Sequence, residues 1–470
     1  MKPTLNRSWL EQQAIPAARV LNFPEKVMQF GTGVLLRALP DHFIHKANLE
    51  GVFKGRIVMI KSTRRGDADV HLRQDCLYTT VFAGVRNGEQ VKESVLNSSV
   101  SRILQANEQW EEVLALASSK DLQVVISNTT EVGLQYVPED VKTGVPESFP
   151  GKLLAVLFAR YTSTGGDMNS GLVIIPTELL PDNGLLLKSI LNNLAAHNDL
   201  DKSFIEWLNT ANYFCSSLVD RIVPGKPTPE IRAELAETLP YTDDAMIMAE
   251  PYGLWAIEGN AKVRELLSFY TSDPGCIIEE DITVYRELKL RLLNATHTLS
   301  CAYAIRAGFD TVIEAMNDPE MRAFIEGMMK EEIAQCIPYD IPQERITSFA
   351  NEVLDRFSNP YLQHRWLSIS VQYSSKMKMR VLPLLNRYHQ KFNHIPPRMR
   401  EGLLAFLEFM TPVRKEGDQY FGSMNGQEYL IDDSNASIFF EARDKEEILS
   451  YVSLWGSRIE WMLDDSTTAN

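Results

Sequence analysis

An apolar run, a glycine turn and a helical pattern follow one another near the start of the chain, and this order constrains the fold most. Residues 26–30 (KVMQF) have the composition of a buried strand, and Gly31-Thr32-Gly33 follows directly. A helical pattern then continues to about residue 47, and residues 56–61 (RIVMIK) form a second apolar run. Two strand-like runs about thirty residues apart, with a helix between them, are typical of a βαβ unit.

The same alternation continues through the first half of the chain. Further strand-like runs lie at residues 122–127 and 172–175, and helical patterns lie at residues 152–160 and from residue 184 onwards. Strands separated by helices favour an α/β fold with a doubly wound parallel sheet of the Rossmann type. Residues 77–85 and 90–95 flank Asn87-Gly88, which predicts an inserted β-hairpin.

After about residue 274 the sequence shows helical periodicity instead of this alternation, and no further strand-like runs are predicted. Asp318-Pro319 has the pattern of a helix start, with Asp as the N-cap. Apolar stripes at helical spacing follow at 324, 328 and 333, at 346, 349, 353 and 357, and at 448, 452, 455, 459 and 462. We therefore predict a dinucleotide-binding Rossmann-type domain over residues 1–275 and a mostly α-helical substrate and catalytic domain over residues 276–470.

The overall charge and the cysteine content exclude several classes of function. Lys and Arg number 47 against 62 Asp and Glu, which gives a net charge of -15 and argues against a nucleic-acid partner. The five cysteines show no CxxC spacing, so neither a disulfide framework nor a zinc site is indicated. No apolar run reaches the roughly 18 residues of a membrane span, and the first residues lack the features of a signal peptide. We expect a cytoplasmic protein.

The Gly31-Thr32-Gly33 turn lies where a dinucleotide pyrophosphate binds in Rossmann folds. The full GxGxxG pattern is absent, because Leu36 occupies the third glycine position, so a plain tight turn is the alternative interpretation. The acidic residue expected after the second strand is also absent. Lys61, Arg64 and Arg65 stand there instead, which slightly favours NADP, although they could equally form a solvated turn or bind the pyrophosphate.

Lys289, Asn294 and His297 form a candidate catalytic set at the start of the helical half. On an ideal α-helix, Asn294 lies about 140° and His297 about 80° round from Lys289, with His297 about 12 Å further along. A desolvated lysine can act as a general acid or base, an amide can stabilise an oxyanion, and a histidine can orient a substrate. The alternative is a solvated lysine and an ordinary, partly buried histidine.

These residues carry a resemblance to a known family. Lys289-x4-Asn294-x2-His297 resembles the catalytic signature of the long-chain mannitol dehydrogenase family. Residues 31–38 (GTGVLLRA) are similar to that family's glycine turn, with Leu35 in its aromatic position. Residues 218–222 (LVDRI) are similar to a segment whose Asp contacts substrate, and Lys376 matches a substrate-contacting lysine.

The resemblance implies a metal-independent, NAD-dependent dehydrogenase with a Rossmann-type first domain and a helical second domain. The catalytic residues would be Lys289, Asn294 and His297, and no residue would bind a metal. The residues implied to bind NAD are Phe30, Gly31, Thr32, Gly33, Arg37 and Ser62. Asp220 and Lys376 are implied to bind the substrate, and Glu131, which follows a strand end, is a weaker candidate.

Several residues differ from the family's usual motifs, and these differences indicate a branch within the family. Leu179 stands where many members have an Asn at the reacting centre, Glu178 replaces the adjacent Asp, and Ser368 replaces an Arg. This wording is similar to the branch that interconverts altronate and the keto-uronate tagaturonate, which uses NAD without the acidic residue. NAD and a sugar-acid substrate are therefore predicted, with no nucleic-acid or membrane partner. The alternatives are another substrate, namely fructuronate, mannitol or another polyol, and a non-catalytic dinucleotide-binding role. The sequence does not distinguish a monomer from a dimer.

Overall fold

The protein was analysed as a computed structural model, which describes residues 2–62, 68–129, 131–394, 396–442 and 452 of the 470. The chain divides into two compact units. The first comprises Met1–Ala83 and Val91–Ile282, and the second comprises Gly84–Gln90 and Thr283–Asn470. The domain boundary after residue 275 stays a prediction from the change of periodicity.

The first unit alternates strands and helices. Its strands are β1 Glu25–Phe30, β2 Arg56–Lys61, β3 Tyr78–Arg86, β4 Glu89–Asn97, β5 Val100–Gln105, β6 Val124–Ser127, β7 Val173–Pro176, β8 Tyr213–Phe214, β9 Ser217–Asp220, β10 Ile247–Ala249, β11 Leu254–Glu258 and β12 Cys276–Glu279. Its helices are α1 Arg7–Glu11, α2 Pro16–Val20, α3 Val34–Ala38, α4 Pro40–Leu49, α5 Asp69–Arg73, α6 Trp110–Ala117, α7 Phe149–Thr164, α8 Asn183–His197, α9 Lys202–Thr210, α10 Pro229–Thr238 and α11 Ala261–Leu266.

A six-stranded parallel sheet in the order β5-β2-β1-β6-β7-β8 forms the centre of this unit. Numbered along the chain within this sheet, the order is 3-2-1-4-5-6, which is that of the Rossmann fold. Val27 and Ile57 belong to one hydrophobic cluster, and Met28 and Val58 belong to another. Because successive side chains of a strand point to opposite faces, both faces of the sheet are buried, and the predicted doubly wound sheet is confirmed.

Two smaller sheets complete the unit, in the orders β10-β3-β4 and β12-β11-β9. The inserted hairpin predicted around Asn87-Gly88 is confirmed as β3 and β4, with positive φ angles of 55° and 78° at the turn. The helical stretch predicted up to about residue 47 is interrupted instead. Pro40 begins α4 directly after Leu39, whose φ and ψ of -123° and -79° end α3, since a proline has no N–H to continue a helix.

The second unit is mainly helical. Its α-helices are α12 Thr283–Leu288, α13 Thr296–Arg306, α14 Val312–Asn317, α15 Pro319–Gly327, α16 Gln343–Phe357, α17 Trp366–Ile369, α18 Tyr373–Lys376, α19 Leu382–Phe392, α20 Pro397–Phe409 and α21 Ala436–Glu441. Within the described part of this unit, π-helices lie among them at Lys289–Ala295, Met328–Glu332 and Met377–Val381. Asp318 caps α15 as predicted, its side chain accepting a hydrogen bond from the Met321 N–H at 2.8 Å.

The expectation that strands end near residue 274 was wrong. β12 follows that point, and β13 Arg414–Glu416, β14 Gln419–Met424 and β15 Gln427–Leu430 form an antiparallel sheet in the second unit. These three strands are short and largely exposed, so they lack the apolar runs by which buried strands are recognised. The stripe predicted from Ile346 to Phe357 is buried, whereas the stripe at 448–462 lies outside the described residues except for the buried Val452.

Candidate active site

Gly31 makes the tight turn after β1, and its conformation requires a glycine. Its φ is +128°, a region that side chains rarely adopt. A Cβ there would lie 2.9 Å from Leu36 Cδ1 and 3.1 Å from the Asn128 carbonyl oxygen. The Gly31 N–H donates to the Ile60 carbonyl at 3.1 Å, which ties the turn to the neighbouring β2.

Gly33 has a different role, because the fold itself does not need a glycine there. It is the N-cap of α3 with a φ of -65°, and a Cβ would meet nothing within 4 Å. The missing side chain leaves the N–H groups at the start of α3 open to a phosphate. Thr32 between the two glycines is half-buried, and Phe30 beneath them is buried against Phe149 at a ring distance of 5.1 Å.

The ends of β1, β6 and β7 are joined by hydrogen bonds beside this turn. The Asn128 N–H donates to the Phe30 carbonyl at 3.1 Å, and its side-chain amide donates to the Thr177 carbonyl at 3.1 Å. The buried Glu178 carboxylate accepts from the Thr129 N–H at 2.9 Å. β1 and β6 are the strands at which the sheet order reverses, where nucleotides bind in such folds. The sequence prediction did not include Asn128 or Thr129, although both directly follow a predicted strand.

Ser62 follows β2, and its hydroxyl is buried without a hydrogen-bond partner among the described residues. In this fold the residue after the second strand lies beside the ribose of a dinucleotide. An unsatisfied buried hydroxyl at this point fits a ligand that supplies the missing partner. Of the three basic residues that slightly favour NADP in the sequence, Lys61 ends β2, whereas Arg64 and Arg65 lie outside the described residues.

Arg37 is buried, and its contacts are internal. Its Nη1 donates to the Ala245 carbonyl at 2.9 Å, and the guanidinium lies 5.4 Å from the centre of the Tyr78 ring. The Tyr78 hydroxyl donates to the buried Asp41 carboxyl at 3.2 Å. Burial raises the pKa of Asp41 from 3.8 to about 7. These contacts position Arg37 against the first unit's own core, and a direct contact with the cofactor stays a prediction.

Asp220 is the last residue of β9, opposite Leu254, and 7% of its surface is exposed. The next side chain, Arg221, holds the strand end in place. Its Nε donates to the Tyr252 carbonyl at 2.6 Å, and its guanidinium lies 4.8 Å from the centre of the Phe82 ring. Asp220 is therefore a buried carboxylate at a well-anchored strand end.

Two other predicted or singled-out positions lie at turns in the first unit. Glu131 begins a short 3₁₀-helix, Glu131–Gly133, and its side chain lies outside the described structure. Leu179 follows β7 and is 58% exposed. An apolar side chain forms no hydrogen bonds. Leu179 therefore cannot make the hydrogen bond that the resemblance implies for the Asn of other family members.

The Lys-Asn-His segment does not form the ideal α-helix assumed from its sequence. Lys289 and Asn294 lie in the π-helix Lys289–Ala295, between α12 and α13. In a π-helix the N–H of residue i+5 bonds to the carbonyl of residue i, so residues five apart come towards the same side. Lys289 and Asn294 are five apart, and both are half-buried. The angle of 140° expected for an ideal α-helix therefore does not apply to this segment.

His297 lies on α13 in an aromatic setting. Its ring stacks on Phe357 at 4.0 Å with an angle of 9° and meets His364 edge-on at 5.2 Å. The residue is 8% exposed, and Nε2 has no hydrogen-bond partner among the described residues. Burial lowers the pKa of His297 well below its ordinary value, and the charges of His364 and Arg356 lower it further. These influences favour the neutral imidazole of His297, and its Nε2 has no partner among the described residues.

Hydrogen bonds tie the π-helix of Lys289–Ala295 to the π-helix of Met377–Val381. Arg291 Nη1 donates to the carbonyls of Met379 and Arg380 at 3.0 and 2.8 Å. The Arg380 guanidinium in turn donates from Nη1 to the Thr298 hydroxyl at 3.2 Å, and that hydroxyl donates to the Asn294 carbonyl at 2.7 Å.

Lys376 ends α18, just before the second of these π-helices. Its Nζ donates to the Ile369 carbonyl at 2.9 Å. Burial lowers the pKa of Lys376, and the nearby charge of Arg380 lowers it further. The sequence prediction did not include three nearby basic residues, His364, Arg356 and Arg380. For Arg380 a local signal exists, because it follows Lys376 by four residues, whereas nothing in the sequence indicates the other two.

No group of three His, Cys, Asp or Glu residues within the described ranges is arranged to hold a metal ion. All five cysteines are free and buried. In the part of the chain that the structure describes, none of the helices has the length and apolar character needed to cross a bilayer.

Comparisons with known proteins agree with this arrangement. Residues 25–268 match the Mannitol dehydrogenase Rossmann domain, and residues 281–460 match the Mannitol dehydrogenase C-terminal domain. An altronate oxidoreductase of Halalkalibacterium halodurans is 39% identical over 450 residues, which cover 92% of this chain and 87% of that protein. The altronate oxidoreductase of Pectobacterium atrosepticum is 38% identical over 398 residues, which cover 84% of this chain and 81% of that protein.

Solved structures share the fold at lower identity. A substrate-free D-sorbitol dehydrogenase superimposes with a TM-score of 0.74 at 20% identity, covering 94% of this chain and 92% of that one. The Pseudomonas fluorescens mannitol 2-dehydrogenase, solved with NAD and D-mannitol, superimposes with a TM-score of 0.67 at 21% sequence identity. The match covers 97% of this chain and 93% of that one. Both family domains match in the order in which the two units occur, and the matched relatives span most of the chain. This protein belongs to the mannitol dehydrogenase family.

Proposed function

We propose that this protein is an NAD-dependent, metal-independent oxidoreductase that interconverts D-altronate and D-tagaturonate. The observation that carries the proposal is the 39% identity to an altronate oxidoreductase over 92% of the chain. A small sugar acid is then its substrate, and we propose the cytoplasm as its compartment.

The first unit offers a place for the dinucleotide. Gly33 leaves the start of α3 uncovered, and Gly31 allows the turn to approach β2. The Ser62 hydroxyl, which has no hydrogen-bond partner among the described residues, fits a ribose. Bound NADH would supply the hydride that the keto carbon of the substrate accepts. The residues of the chain would then supply the proton, stabilise the negative charge on the oxygen and hold the neighbouring hydroxyls.

Three residues of the second unit would perform this chemistry. Lys289 would donate a proton to the oxygen as the carbonyl becomes an alkoxide. Asn294 shares the π-helix with it, and its side-chain amide would donate a hydrogen bond to the same oxygen. His297, neutral and with Nε2 available, would hold a hydroxyl group without adding a charge.

Two further residues would bind other parts of the sugar acid. Asp220, at the end of β9, would accept a hydrogen bond from a substrate hydroxyl. Lys376 would pair with the carboxylate, because an ammonium on a partly buried lysine binds an anion as a point charge. Leu179 removes the amide that other family members use, which alters the hydrogen bonding that a neutral polyol would meet.

The test is NADH oxidation by the purified protein with tagaturonate, fructuronate, tagatose and fructose, repeated with NADPH. We expect the highest kcat/KM with tagaturonate and NADH. Equal efficiency with fructose would contradict the sugar-acid substrate. A preference for NADPH would contradict the proposal that NAD is the cofactor. NADH binding without turnover of any of the four sugars would favour the non-catalytic alternative.

A further inference from the structure

The buried His297 and four basic side chains near it form a basic cluster in the second unit. Burial lowers the pKa of His297, and the charges of His364, Arg356, Arg380 and Lys376 lower it further. Arg380 lies in the π-helix Met377–Val381 and Lys376 directly precedes it. Burial lowers the pKa of Arg380 to about 10, which reflects the cost of removing its charge from water.

Two acidic residues, Asp433 and Glu352, lie near this cluster and interact with part of it. The Asp433 carboxylate accepts hydrogen bonds from the N–H and the hydroxyl of Ser374, both at 2.7 Å. Burial raises the pKa of the Glu352 carboxyl, and the nearby charge of Arg356 offsets this rise in part. Neither Arg380 nor Lys376 forms an ion pair with any residue in the described ranges. Buried cations are expensive without an anion. The charge of Asp433 compensates that of Lys376 in part, whereas Arg380 has no ion-pair partner among the described residues.

The polar atoms of the cluster are also incompletely bonded. Arg380 Nε is buried and has no partner within the described part of the chain, and the same holds for Nε2 of His297, a residue only 8% exposed. Among the described residues, Lys376 Nζ makes one hydrogen bond, at 2.9 Å to the Ile369 carbonyl, of the three that an ammonium can donate. Unused donors on several buried or half-buried groups together indicate a ligand with several acceptor oxygens.

We propose that Arg380 is a specificity-determining residue that binds the substrate's carboxylate, with Lys376 as the second cation. The inference rests on the proposed function and adds to it a residue that the sequence prediction did not include. A guanidinium presents paired N–H donors that match the two oxygens of a carboxylate. A hydroxymethyl group at the same position would leave Arg380 without a counter-charge, so neutral sugars are disfavoured.

Arg380 would also connect carboxylate binding to the catalytic helix. Its guanidinium donates to the Thr298 hydroxyl, which donates to the Asn294 carbonyl. A carboxylate held by Arg380 therefore lies one hydrogen-bonded side chain away from the backbone of Asn294. This connection explains how an anion at the end of the sugar would help to place its keto group against the proposed oxyanion donor.

The experiment compares Arg380→Met with Arg387→Met, which removes the same charge from an exposed position on α19. KM and kcat are measured with tagaturonate and with tagatose, in which a hydroxymethyl group replaces the carboxylate. We expect Arg380→Met to raise the KM for tagaturonate about 10- to 100-fold, the loss of one charge-assisted hydrogen bond or more. The KM for NADH, the activity with tagatose and the Arg387→Met protein should be unchanged.

An unchanged KM for tagaturonate in Arg380→Met would overturn the proposal, as would an equal loss with tagatose. If Arg380→Met does not fold, Arg380→Lys decides, because it retains the charge and should raise the KM by a smaller factor. A KM for Arg380→Lys equal to that of the unsubstituted protein would then overturn the proposal. Failure of the unsubstituted protein to reduce tagaturonate contradicts the proposed function instead. The carboxylate site is then tested in the same variants with whichever sugar acid the protein reduces.

Discussion

Alanine at Gly33 and alanine at Gly31 separate cofactor binding from folding. At Gly33 a methyl group meets nothing within 4 Å and the φ of -65° suits any residue, so stability should not change. The methyl group would, however, occupy space that a pyrophosphate needs near the start of α3. We expect Gly33→Ala to weaken NADH binding by a factor of about 10 or more, the equivalent of one lost hydrogen bond to a charged group.

Gly31→Ala is expected to damage the fold itself. The positive φ costs about 1–3 kcal/mol for a residue with a side chain. Contacts of 2.9 Å to Leu36 and 3.1 Å to the Asn128 carbonyl require displacement of their neighbours, and such crowding costs about 1–3 kcal/mol more. At roughly 2–4 °C per kcal/mol for a domain of this size, Tm should fall by at least about 4 °C.

Calorimetry measures both quantities, with thermal unfolding for Tm and titration with NADH for the Kd. The two variants should differ in kind: Gly33→Ala keeps the Tm and loses affinity, whereas Gly31→Ala loses Tm. If Gly33→Ala binds NADH as tightly as the unsubstituted protein, the turn is not the pyrophosphate site and the reasoning about the first unit fails. An unchanged Tm in Gly31→Ala would show that the turn does not have the described backbone conformation.

Three further predictions concern catalysis, metal and pH. Lys289→Ala should lower kcat by about 10²–10⁴ with little change in NADH Kd, and near-normal turnover would remove Lys289 from the mechanism. Activity should survive dialysis against EDTA, and loss that added zinc restores would contradict a metal-independent reaction. Because burial raises the pKa of Asp41 from 3.8 to about 7, its contribution to stability is lost as pH rises through that window. Asp41→Asn should therefore raise the Tm at a pH above about 7 and leave it unchanged below about 4, and equal effects at both pH values would contradict the shift.

The sheet could be predicted from the sequence because its strands are buried on both faces. Residues such as Val27, Met28, Ile57 and Val58 give continuous apolar runs, and the glycine turn marks where the first strand ends. Such runs are local signals, readable without knowledge of the tertiary structure. Break points within helices are also local, and Pro40 could have been recognised as one.

The geometry of the candidate site could not be predicted in the same way. The π-helix at Lys289–Ala295 depends on packing that includes the hydrogen bonds of Arg291 to a segment about 90 residues later. Arg380 and His364 come together with His297 only through tertiary contacts, so no spacing in the sequence identifies them. Lys289, Asn294 and His297 were candidates from their spacing and chemistry, the resemblance to a family supported them, and their roles stay predictions.

The central claim is that this protein exchanges a hydride between NAD and a sugar acid, with Lys289 as the proton-transfer residue. The most direct measurement is the appearance of NADH absorbance when the purified protein is given NAD and altronate. The account predicts NADH formation with altronate, much less with mannitol, and almost none in the Lys289→Ala variant. NADH formation with mannitol but not with altronate, or full activity of the variant, would contradict it.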